Sequence, residues 1–135
     1  MATPTPLPRP DAALLALRPA IAGQPAAIPA PATVADFQHQ VLRPALKLQH
    51  AVLLAIVADF AADYRLPLTG AAPTERQRLL GELLTRNARL RATITGLVVG
   101  IFTTEELAFY RENRAELNRR LLDLAEQRVT SSWST

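Results

Sequence analysis

Apolar residues recur at alternating spacings of three and four in three stretches of the chain. The first runs through Phe37, Val41, Ala45, Leu48, Val52, Ile56 and Phe60, and the second through Leu80, Leu83, Asn87, Leu90, Ile94, Leu97 and Ile101. The third runs through Leu107, Tyr110, Arg114, Leu117, Leu121 and Leu124. This spacing lines one face of an α-helix and is the seam of helices packed nearly parallel or antiparallel. Threonine followed three residues later by an acid or amide marks the starts, at Thr33 with Asp36, Thr74 with Gln77 and Thr103 with Glu106. The predicted helices therefore run from 33 to about 64, from 74 to 102 and from 103 to about 128. Pro44 falls inside the first, where it removes a backbone hydrogen bond and predicts a kink or a restart. The stretch 66–73, LPLTGAAP, reads as a loop.

Residues 93–102, TITGLVVGIF, carry strand-forming side chains, but no second strand exists to pair with them, so helix is expected there too. The fold class predicted is all-α, an antiparallel bundle of three long helices plus a short N-terminal helix or arm. Residues 51–58, AVLLAIVA, are apolar all round, and three helices bury such a segment poorly. A fourth partner is implied, either the arm or a second copy of the chain. Gly96 and Gly100, four apart, suggest close approach of another backbone. Three regions result: an arm over 1–32, the bundle over 33–128 and a polar tail over 129–135. Eight of the eleven prolines lie in 1–31, and between them Asp11 is placed to cap a short helix over 11–18.

Composition narrows the chemistry. Hydrophobic residues are 49% and aromatics 5%, so the core must be mostly Leu, Val, Ile and Ala, as in packed helices. There is no cysteine, which excludes disulfides, thiolate catalysis and cysteine-based zinc sites. A net charge of +3 spread over scattered arginines is not the clustered footprint of a nucleic-acid binder. The longest apolar run is far below the ~20 residues that cross a bilayer. The first residues lack the basic start of a secretory signal, and a cytoplasmic location is expected.

FQHQ-x-LRP-x-LKLQ at 37–49, with G-LV-G-x-FT-x-EELAFY and then ELNRR at 96–120, resembles a group of short all-helical bacterial proteins of unestablished function, some of which carry the label glyoxalase. The resemblance covers about residues 33–128 and implies an all-helical fold. Glyoxalase-type sites gather metal-binding His and Glu on strands, or cluster several histidines. Here both histidines fall on one predicted helix.

That helix segment, 36–50, also holds the only lysine. At 100° per residue His39, Arg43, Lys47 and His50 share an arc of about 80°, opposite the apolar side. The stripe is either a solvated basic face or a holder for an anion. A metal site built on Asp36 and His39 would need a matching Glu-x-x-His elsewhere, and none exists. Gln38 and Gln49 lie on another flank, where they could border an interface. Asn87 and Arg114 occupy seam positions, and Asp59 lies on the apolar side of the first long helix, with Asp63 one turn on. Buried polar groups need partners, so Asp59, Asp63, Asn87 and Arg114 are expected to form an interior cluster that sets register or lines a small pocket.

No nucleophile elbow, P-loop, dinucleotide fingerprint or zinc motif occurs. The reading is a non-enzymatic interaction or structural module without cofactor or metal, self-associating as a homodimer. Its alternatives are a small-molecule or anion-binding module, and weak nucleic-acid binding through Arg76, Arg86, Arg89 and Arg91.

Overall fold

A computed structural model describes residues 4–5, 7–19 and 30–133. All of its regular structure is helical, and no strand occurs among the described residues. The helices are α1 (Asp11–Leu17), α2 (Val34–Leu48), α3 (His50–Asp63), α4 (Pro73–Arg86), α5 (Ala88–Val99), α6 (Thr104–Glu112) and α7 (Arg114–Trp133). Each of the three long periodic stretches is thus divided in two. Residues 93–102 are helical as far as Val99, as the lack of a pairing partner requires.

The divisions fall at three residues with amide side chains. At Gln49 the chain turns by 66° between α2 and α3, and the Gln49 amide donates to the Leu97 carbonyl on α5. Asn87 ends α4 with extended backbone, and its side chain accepts from the Leu90 N–H to start α5. Asn113 donates from its side chain to the Phe109 carbonyl, while its N–H bonds to Tyr110. Short amide side chains compete with the helix ladder for backbone partners, which is why Asn favours helix ends over helix interiors.

At Pro44 the helix restarts in type, since the α-helical segment Arg43–Leu48 carries the proline in its first turn. Residues Gln38–Leu42 form a π-helical turn, in which the Arg43 N–H reaches back to the Gln38 carbonyl. Widening the turn just before the proline ring relieves the clash that an α-helical carbonyl would meet there. The strong bend lies five residues later, at Gln49.

The division at Gln49 moves the seam, whereas the seams through Asn87 and Asn113 carry on past the break. Phe37, Val41 and Ala45 are buried as predicted, but beyond Gln49 the inward positions are Leu53, Val57 and Ala61. Val52 is left 46% exposed. Leu80, Leu83, Leu90 and Ile94 hold the second seam, and Leu117, Leu121, Leu124 and Val129 the third. α7 packs along α4 and also meets α2, α3, α5 and α6, so its leucines form the axis of the core. Val129 is fully buried and α7 continues to Trp133, so most of the expected polar tail is helix.

An aromatic group closes one end. Phe37 stacks on Phe109 at 5.0 Å and meets Phe102 edge-on at 5.5 Å, and Phe102 in turn meets Tyr110. Phe37 and Phe102 are fully buried, and burial of each such ring contributes about 1.5–3 kcal/mol. The loop after α3 begins with Arg65 at φ 56°, where the N–H groups of Arg65 and Leu66 bond back to Ala62 and Ala61. This is a Schellman end with arginine in the place that glycine usually takes.

Two expected helix starts differ in detail. α4 begins at Pro73 with no side-chain cap, so Thr74 lies inside the first turn. Proline suits that first position because its missing N–H would have no partner there in any case. At Thr103 both halves of the capping box with Glu106 are present.

Candidate functional site

The predicted interior cluster does not assemble. Asp59 and Asp63 are exposed on α3, and Arg114 is exposed at the start of α7. Asn87 is half-buried and engaged as a helix cap. The breaks at Gln49, Asn87 and Asn113 explain this. Past Gln49 the seam has moved, which leaves Asp59 and Asp63 in water, while Asn87 and Arg114 stand at or beside a break, where the first caps a helix and the second reaches solvent.

The basic stripe is also divided. His39, Arg43 and Lys47 are exposed and His50 is half-buried. The π turn at 38–42 shifts the phase between His39 and Arg43, and the bend at Gln49 redirects His50. Arg43 and His50 remain together, because both line a cleft of about 320 Å³ between α2, the start of α3 and the C-terminal part of α7. The opposite wall supplies Arg128, whose Nη1 lies 3.3 Å from His50 Nδ1. Leu46 and Leu124 supply apolar lining, and Gln127, Ser131 and Ser132 complete it. Among the described residues no carboxylate lines this cleft. His39 and Lys47 are outside it. Among the described residues no group of three or more His, Asp or Glu is placed to hold a metal ion.

Sequence reasoning missed the polar cluster that does form, at the corner between α5 and α6. Arg18, from the chain just after α1, makes two hydrogen bonds to the Glu106 carboxylate and a third, at 3.1 Å, to the Ile101 carbonyl. The Arg18 and Glu106 side chains are only 8% and 11% exposed. Glu106 also accepts from the Thr103 N–H at 2.8 Å as its part of the capping box. Asp11 does not cap its own helix but accepts from the Thr104 N–H at 2.8 Å and from the Thr104 hydroxyl at 3.1 Å. Arg9 donates to the Gly100 carbonyl, and its N–H to the Thr104 hydroxyl.

The arm therefore docks through charge. It supplies an acid to the N-terminus of α6, where free N–H groups and the helix dipole favour one, and arginines to the carbonyls ending α5. The capping motif at Thr103 was visible in the sequence, but nothing local marks residues some 90 positions away as its partners. α1 itself buries no residue, and Leu15 and Leu17 stay 53% and 60% exposed.

The glutamines act between helices. Gln38 accepts from Arg120 of α7 at 2.9 Å, and Gln49 ties α2 to α5. Of the glycine pair, a methyl group on exposed Gly96 would meet no atom within 4 Å, whereas one on Gly100 would fall 2.9 Å from the Gly96 carbonyl of its own chain. Of the scattered arginines, Arg91 donates to the Leu84 carbonyl and Arg86 lies 4.0 Å from Glu82. At the exposed start of α4, hydrogen bonds with Arg78 hold the Glu75 carboxyl below its usual range and raise Arg78 in turn.

One face of α3 stands out on the surface. Ala51, Ala55, Ala58 and Ala62 repeat at the three-four spacing along its outer side, with Val52, Asp59 and Asp63 on the same arc, and all seven are exposed. No single described helix is long and apolar enough to cross a membrane. Compared with known protein families, with curated proteins and with solved structures, the chain matches none of them.

Proposed function

We propose that the protein is a non-enzymatic interaction module that pairs with a second copy of itself through the outer face of α3. The observation that carries this reading is the stripe Ala51, Ala55, Ala58 and Ala62 with Val52, an apolar helix face left open to solvent. Small side chains at this spacing let two helices approach closely, as in the tighter range of helix packing. An antiparallel partner suits the charges. It sets Asp59 and Asp63 of one copy toward the end of the other helix, where exposed Lys47 stands just before the bend.

The hydrogen bonds of arm residues 9–18 lie at the α5–α6 corner or within that segment, away from this face. A helix of 14 residues is roughly 21 Å long, and one face of it falls short of the ~1,200 Å² of total buried surface at which stable complexes begin. Pairing is therefore expected to be reversible and to depend on concentration. Sedimentation velocity over a hundredfold range of protein concentration tests it. A monomer–dimer shift is expected for the native chain and should disappear in Ala55→Glu, an exposed substitution that leaves the monomer folded. A single monomeric species at every concentration would overturn the reading.

A further inference from the structure

The cleft between α2 and α7 has a composition that the self-association reading does not use. We propose that it is a binding site for a phosphate-bearing small anion, held by Arg43, His50 and Arg128. Three basic side chains come to it from three helices, and among the described residues no carboxylate lines it. The arginines that bridge elements elsewhere end on acceptors. Arg18 ends on Glu106, Arg9 on the Gly100 carbonyl, and Arg120 on Gln38 and Glu116. Arg128 is set against an imidazole instead, and Arg43 lines the same space with no described acid in its lining. Like charges gathered at one place repel, and a bound anion is what removes the repulsion.

The hydrogen-bond chemistry suits an oxyanion. Where the Arg128 guanidinium donates to His50 Nδ1, that nitrogen accepts and the ring proton sits on Nε2. The imidazole is then itself a donor. Two guanidinium forks and a ring N–H, carried on separate walls, match a tetrahedral dianion with several oxygens better than a single planar carboxylate. The volume of about 320 Å³ lies at the small end of ligand sites, which admits a phosphate with a short organic body. Leu46 and Leu124 give that body an apolar surface.

The helix dipole offers a competing account, since cations are favoured near the C-terminal end of α7 in any case. It accounts for Arg128. It does not account for an arginine and a histidine brought to the same cleft by α2 and α3.

Inorganic phosphate titrated into the full chain at constant ionic strength, against chloride, provides the test. Arginine side-chain and imidazole NMR signals are read together with calorimetry. The expected result is saturable binding with shifts confined to Arg43, His50 and Arg128, weakened at least tenfold in Arg128→Gln and in Arg43→Gln. Circular dichroism spectra matching the native chain would show that both variants are folded. Glycerol phosphate run beside inorganic phosphate separates the two sources of the group, and tighter binding of either supports the site. Binding retained in Ala55→Glu would separate this site from the dimer face. Shifts that follow chloride and phosphate alike, or that persist unchanged in Arg128→Gln, would overturn the proposal.

Discussion

Arg18 and Arg128 both reach from one element to another, and they end in opposite surroundings. Arg18 meets a carboxylate, a backbone carbonyl and almost no water. Arg128 meets an imidazole nitrogen across an open cleft that a second arginine shares. The first arrangement is closed. Its charges balance, its acceptors belong to the chain, and the same carboxylate caps the helix it sits on. The second is open, with donors outnumbering acceptors. A buried pair whose charges balance serves the fold, and losing one partner exposes the cost of the other's burial. An unbalanced cluster at the surface adds little to the fold and is free to serve a ligand.

The sharpest way to break this comparison is at the closed end. Glu106→Ala should lower stability by about 3–5 kcal/mol in urea unfolding, because it leaves the Arg18 guanidinium buried without its counter-ion. Replacing both partners by apolar residues, Arg18→Met with Glu106→Leu, should cost clearly less than the single change. A double loss equal to the sum of the two single losses would mean that the pair is not coupled. Next in size is Asp11→Ala, which removes an acceptor from the first turn of α6. A loss of about 1 kcal/mol is expected, with faster hydrogen exchange at the Thr104 amide as the local sign. The smallest effect belongs to the open end. Arg128→Gln should change stability by no more than about 0.5 kcal/mol, as surface substitutions usually do. A large loss there would place Arg128 with Arg18 as part of the fold and remove the contrast.

Much of the fold was legible along the chain because it is local. The all-helical class, the helical reading of 93–102, the capping box at Thr103 and the buried leucines of three seams follow from spacing and composition. The breaks were harder to read. Gln49, Asn87 and Asn113 are single residues in otherwise regular patterns, and a pattern carried through them points Val52, Arg114 and Asp59 inward. The basic stripe failed for the same reason at the π turn. Half of it, Arg43 and His50, does meet in one place, but only because α7 brings Arg128 against them.

Sequence alone thus determined what each short stretch would be, since helix periodicity, caps and apolar faces are set by neighbours within a few residues. The tertiary structure decided which polar residues meet. Arg18 with Glu106 and His50 with Arg128 are 88 and 78 positions apart. Contacts at such separations depend on the angles at Gln49, Asn87 and Asn113, and no local pattern records those angles.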